Sequence, residues 1–231
     1  GIADVLQKKH AIKHNFPVLG RLRYFMEVIR PKIYQYFIES DTNGTPFNRL
    51  QRSVVYQRSK NETDTQPFGT QLDVYDLGYE FVNHSMKAVH FDQIEENPRT
   101  KIGSSQCTQP YFASMFNISA MSFGSLSKTA ILALNEGAKL GGFYHNTGEG
   151  GLSPYHLEKG GDVVWNIGTG YFSCRTPEGR FSIEEFTKRA VLPQVKMIEI
   201  KFSQGAKPGH GGILPKAKVT DEIAQIRLVT K

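Results

Sequence analysis

The chain has 231 residues, 39% of them hydrophobic, enough for one or two domains with a packed core. A formal charge of +6 and a pI near 9.2 favour anionic ligands or partners, yet the basic residues form no nucleic-acid-binding signature. Cys107 and Cys174 stand alone, so a disulfide scaffold, a zinc site and a complete iron–sulfur motif are not expected within this chain; with no apolar run of roughly 18 residues and no signal pattern, the expectation is a cytoplasmic protein without a membrane segment.

Residues 1–60 read as helical, because basic residues alternate with aromatics and aliphatics at spacings of three and four. Pro31 is expected to divide this stretch into two helices, since a mid-helix proline loses a hydrogen bond and clashes with the preceding turn. Phe25, Ile29, Tyr36 and Phe37 are assigned to packing, and the Arg and Lys residues between them to a solvated face. Asp41, Asn43, Gly44 and Pro46 mark a loop before a third helix around 49–58. From 61 to 110 the chain is polar and without clear periodicity, a lead-in expected to wrap one end of the domain that comes after it. His10, His14, His84 and His90 are scattered and carry no assigned chemistry.

The centre of the chain, 117–151, has a different texture. An apolar run at 115–121 gives way to Ser122, Gly124, Ser125 and Ser127, as a buried parallel strand does when it ends at a binding crevice. Ser127 is the expected N-cap of a helix over 128–140, with Ile131, Leu134 and Ala138 on its buried face and Gly141 and Gly142 ending it. A second strand, 143–146, opens into Thr147, Gly148, Glu149, Gly150 and Gly151, small residues around one carboxylate. A third apolar run, 163–167, spills into Gly168, Thr169 and Gly170. Ser182, with Glu185 three residues on, has capping-box spacing for a helix to about 191. After Pro193, Val195, Met197 and Ile200 alternate with Lys196, Glu199 and Lys201 before another glycine-rich loop. This order predicts a parallel α/β protein, in which ligands sit outside the carboxyl ends of the strands.

Three motifs in sequence carry a family resemblance: Ala120, Met121, Ser122 and Gly124; then Thr147 to Gly151; then Lys201 with Gln204, Lys207, Gly209, Gly211 and Gly212. They resemble the FMN-binding synthase domain of the glutamate synthases, and the whole chain looks most like the stand-alone glutamate synthase-like proteins. The resemblance implies about the first half of a (β/α)8 TIM-barrel at 111–231, preceded by a mainly helical and extended region at 1–110. It implies cofactor contacts from Ala120, Met121, Ser122, Thr147, Gly148, Gln204 and Lys201, catalytic roles for Lys201 and Glu149, and contacts from Lys207 and Arg227 to the carboxylates of 2-oxoglutarate. The residue types suit that chemistry: a lysine stabilises an anionic reduced flavin, and a dicarboxylate takes two cations on separate elements.

The function so implied is that of an oxidoreductase carrying out reductive amination: ammonia and 2-oxoglutarate give 2-iminoglutarate, which reduced FMN converts to L-glutamate. Ammonia would come from a partner or from solution, and the electron donor, ferredoxin or a pyridine-nucleotide subunit, stays open. Two departures bear on this reading. The family's synthases usually carry Gly-Glu-Gly-Gly-Gln where this chain has Gly209, His210, Gly211, Gly212 and Ile213, which leaves open another FMN barrel enzyme acting on 2-oxo or 2-hydroxy acids. A complete barrel also takes roughly 250 residues, so the late strands and the cysteines of the family's iron–sulfur cluster would lie beyond Lys231. A half barrel exposes sheet edges, which implies homo-oligomers or, as an alternative function, an incompetent fragment serving as a structural or interaction module.

Overall fold

The computed structural model describes residues 1–62, 69–203 and 214–230, and these fall into two compact units, Gly1–Ala88 and Val89–Lys231.

The first unit is helical. Helices α1 (Ile2–Leu6) and α2 (Ala11–Asn15) lead into α3 (Leu19–Ile33), and α4 (Arg49–Ser59) comes after a loop. The buried Asp4 carboxylate accepts two bonds from the Arg21 guanidinium, at 2.7 and 2.8 Å, which ties α1 to α3 and holds the Asp4 carboxyl well below the usual carboxylate range. Asn48 caps α4 reciprocally with Gln51, each side chain accepting from the other's backbone amide. Pro31 does not divide the helix as its chemistry predicts. It lies inside α3, and the chain then widens into a π-helical turn, Tyr34–Ile38, closed by the Glu39 amide on the Tyr34 carbonyl. A proline deletes a single amide donor, and here the Tyr34 amide reaches both the Arg30 and Pro31 carbonyls, so the helix runs on past the gap.

The second unit mixes helices with parallel strands. It opens with an antiparallel hairpin of β1 (Arg99–Ile102) and β2 (Tyr111–Ser114). Strand β1 lies inside the stretch expected to be irregular and β2 begins just past its end, where the Tyr111 hydroxyl donates to Asp162 at 3.0 Å. Next in the chain are helix α5 (Lys128–Gly141), β3 (Tyr144–Asn146), β4 (Asp162–Ile167), α6 (Ile183–Ala190), β5 (Val195–Ile200) and α7 (Asp221–Arg227). Strands β3, β4 and β5 pair in parallel in chain order, with a register shift at Val163/Val164. The expected strand at 115–121 shortens to one parallel bridge, Ile118 to His145, because Met115 and Phe116 turn out to solvent. The Ile118 and Met121 amides still reach the Tyr144 and Asn146 carbonyls, which places this segment on the far side of β3 from β4.

Alternation on β4 divides the sheet into two faces. Val163, Trp165 and Ile167 pack with Leu152 and Cys174 beneath α6, where Phe186 stacks on the Trp165 ring. Val164 and Asn166 face the other way, beside Met197 and Glu199 of β5. Helix α5 buries Ile131 and Ala138 as its spacing predicts, and also Asn135, whose carboxamide pairs with the Gly161 backbone just before β4. The caps match their sequence signals: Ser127 accepts from the Ala130 amide, Gly142 closes α5 at φ 62°, and Ser182 accepts from the Glu185 amide. The reciprocal half of the Ser182 box is replaced, because the Ser182 amide already donates to the Cys174 carbonyl and Glu185 pairs with Lys188 and Arg189.

Candidate active site

Parallel strands deliver their carboxyl ends to one side, and here the loops beyond them enclose one cavity of about 710 Å³. Ala120, Ser122 and Gly124 contribute one wall; Gly148, Glu149 and Gly150 after β3, Thr169 and Gly170 after β4, and Lys201 after β5 contribute the rest, with Arg227 closing it. The size suits a ligand of cofactor dimensions, which takes roughly 300–1,000 Å³.

Close backbone approach shapes the first wall. Gly148 has φ 63°, and a Cβ there would meet the Ser122 amide nitrogen at 2.9 Å. A Cβ on Gly150 would meet the Ser122 side chain at 2.8 Å and the Arg227 guanidinium at 3.1 Å. Only glycine lets the two loops lie this close. Behind them, fully buried His156 holds the Met121 carbonyl at 3.0 Å through Nε2, while its Nδ1 faces both the Ser153 amide and hydroxyl. A backbone amide can only donate, so Nδ1 is the acceptor and Nε2 carries the proton. Burial lowers the His156 pKa, in keeping with that neutral tautomer.

Charge lies on the opposite wall. The Lys201 ammonium donates to the Glu149 carboxylate at 2.5 Å, joining the ends of β3 and β5. Glu199, two residues earlier on the strand, accepts from Nδ2 of Asn146 at 3.0 Å and from Nδ2 of Asn166. Asn146 in turn accepts the Gly148 amide at 2.9 Å through Oδ1, so its carboxamide is oriented at both ends. Thr147 is spent inside the structure: its amide donates to the Val164 carbonyl, its hydroxyl donates to the Gly148 carbonyl, and the same oxygen accepts the Asn166 amide.

Arg227 is 7% exposed, donates to the Phe123 carbonyl at 3.1 Å, and stacks over the Phe172 ring with 5.0 Å to the centroid. No ion pair involves it among the described residues, and burial lowers its pKa. A cation so placed is short of an anion.

Of the residues singled out in the sequence, Ala120, Ser122, Gly148, Glu149, Lys201 and Arg227 line the cavity, and Met121 and Thr147 stand behind its wall. Gln204 and Lys207 lie outside the described residues, as do His210 and Ile213. Asn146, Asn166, Glu199, Phe172 and His156 were not singled out for this site. Strand parity could have found Glu199, which shares a face with Lys201 two residues on.

The profile of the conserved region in glutamate synthase matches residues 51–231. The chain belongs to the glutamate synthase family. Among its relatives, a glutamate synthase large subunit-like protein of Bacillus subtilis, YerD, is 34% identical over 99% of this chain and 50% of its own length. An archaeal-type glutamate synthase [NADPH] of Thermotoga is 37% identical over 48% of the chain and 19% of the relative. The glutamate synthase [NADPH] large chain of Azospirillum brasilense is 39% identical over 46% of the chain and 7% of the relative. The chain therefore spans half or less of these family members. No solved structure matches it.

Proposed function

We propose that this chain is the flavin-binding part of a glutamate synthase-type oxidoreductase, that its cavity takes FMN, and that its reaction is the reductive amination of 2-oxoglutarate. The observation that carries the reading is the convergence of glycine-lined strand ends, a Lys201–Glu149 pair and the anion-poor Arg227 on one cavity. A flat cofactor fits because the Gly148 and Gly150 cradle admits no side chain, leaving backbone of Ala120 and Ser122 to lie against a ring system, with Met121 held behind them. When bound, reduced FMN would supply the hydride that turns a 2-imino acid into an amino acid.

The chain's own groups do the rest. Lys201 places positive charge where an anionic ring edge would lie, and Glu149 keeps that ammonium oriented. Arg227, fixed by the Phe123 carbonyl and the Phe172 ring, presents a positioned guanidinium to a carboxylate. Gln204 would extend the cofactor contacts, and Lys207 would be the second cation for the dicarboxylate. The in-order β3, β4, β5 arrangement, with the 118–121 segment outside β3, is how successive strands of a (β/α)8 barrel adjoin, so the unit is read as part of one. The relatives named for NADPH favour a pyridine-nucleotide donor over ferredoxin.

The test is FMN titration of the full chain followed by flavin fluorescence, then reoxidation of the reduced protein by 2-oxo acids with ammonium. Saturable quenching, weakened at least tenfold by Lys201→Ala, with 2-oxoglutarate preferred over pyruvate, is the expected result. A protein that takes up no FMN, or reoxidation blind to the 2-oxo acid, would overturn the reading.

A further inference from the structure

Charge is divided unevenly along the chain. Eleven Lys and Arg and four Asp and Glu fall within residues 1–60, a formal +7, whereas 61–231 hold seventeen and eighteen, a formal −1. The whole positive balance of the protein therefore resides in its first 60 residues, the stretch that holds helices α1 to α4. Blocks so segregated meet an anionic surface, a nucleic acid or a membrane.

The geometry of α3 chooses between these. At 3.6 residues per turn, Leu22, Phe25, Met26, Ile29 and Ile33 fall on one stripe. That stripe is not covered: Leu22 is 52% exposed, Phe25 56%, Met26 48%, and Phe37 in the π-helical turn 84%. Of α3 only Gly20 is buried. Arg23 and Arg30 border the stripe on one side and Arg21 and Lys32 on the other, by the same periodicity. Arg30 and Lys32 enter no ion pair among the described residues. A nucleic acid would require cations at the centre of the contact; here the centre is apolar and the cations stand at its margins, where long side chains can lay their stems along hydrocarbon and lift their charges to headgroups.

We propose that α3 and the turn after it lie along the surface of an anionic lipid bilayer, apolar stripe inward, and so hold the protein at a membrane without spanning it. No helix among the described residues is long and apolar enough to cross. The proposal is independent of what the cavity binds.

Flotation of the full chain with vesicles of phosphatidylcholine alone, or mixed with phosphatidylserine, tests it. Binding to the mixed vesicles only, weakening with salt, is expected. Phe25→Ser with Phe37→Ser should lower partitioning at least tenfold. Arg30→Gln with Lys32→Gln should lower it about thirtyfold, from roughly 1 kcal/mol per basic residue at such a surface. Both pairs change exposed side chains, and unchanged far-ultraviolet dichroism would show that the fold persists. Failure to float with anionic vesicles would overturn the proposal. So would equal binding to both vesicle types, indifference to both variant pairs, or tighter binding to duplex DNA than to lipid.

Discussion

At the residue scale the second unit seals polar groups inside it, and two of them are histidines, His145 and His156. His145 is fully buried, neither ring nitrogen has a hydrogen-bond partner among the described residues, and its ring centroid is 5.1 Å from that of His156. Burial, helped by the charge His156 would carry, lowers its pKa from 6.5 to about 4. The unfolded chain therefore takes up a proton near pH 6.5 while the folded chain refuses it until about 4. His145's contribution is complete above the upper value and is lost as pH falls through that window. Between pH 7 and 5 the loss should be about 2 kcal/mol, at about 1.4 kcal/mol per unit. Urea unfolding at the two pH values measures it, and His145→Leu, which removes that titrating group, should take away its share of the dependence and leave the share of His156. A wild-type protein equally stable at both would contradict the burial account.

At the element scale, helix ends were legible in the sequence and strand ends were less so. A cap is a local bargain between one hydroxyl and one amide, so Ser127, Ser182 and Gly142 could be read from their immediate neighbours. Strands depend on what pairs with them. The apolar run at 115–121 has strand composition, yet Met115 and Phe116 face solvent and only Ile118 bridges to β3; the polar β1 was invisible because its partner β2 supplies its order. Pro31 carried a real cost that continuation of the helix absorbed. In the site the glycine-rich strand mouths were legible, since small residues announce close approach, whereas the bonds of Glu199 to Asn146 and Asn166 join residues far apart in the chain. The cap assignment can be weighed directly. Ser127→Ala strands the Ala130 amide at the start of α5 and should cost about 1 kcal/mol in thermal or urea unfolding, while Ser127→Asp should restore most of it. Stability unmoved by the alanine would mean that solvent caps the helix equally well.

For the whole molecule, the division into Gly1–Ala88 and Val89–Lys231 matters because every residue lining the glycine-walled cavity belongs to the second unit. A ligand that binds only the folded state stabilises what it touches by RT ln(1 + [L]/Kd), about 2.7 kcal/mol at a hundredfold excess over Kd. If FMN occupies this cavity, that increment belongs to the second unit, while the first unit draws its stability from contacts such as the Asp4–Arg21 pair and the Asn48 cap. Calorimetry with and without FMN, read alongside hydrogen exchange of the α3 and β4 amides, should show the cofactor slowing exchange in β4 and leaving α3 unchanged. The variant Gly148→Ala sharpens the outcome, because its Cβ would press on the Ser122 amide within the cavity wall and should abolish the FMN effect on β4 while α3 behaves as before. Protection that spread equally into α3 would show that flavin binding couples the two units, and protection of α3 alone would place the ligand outside the cavity.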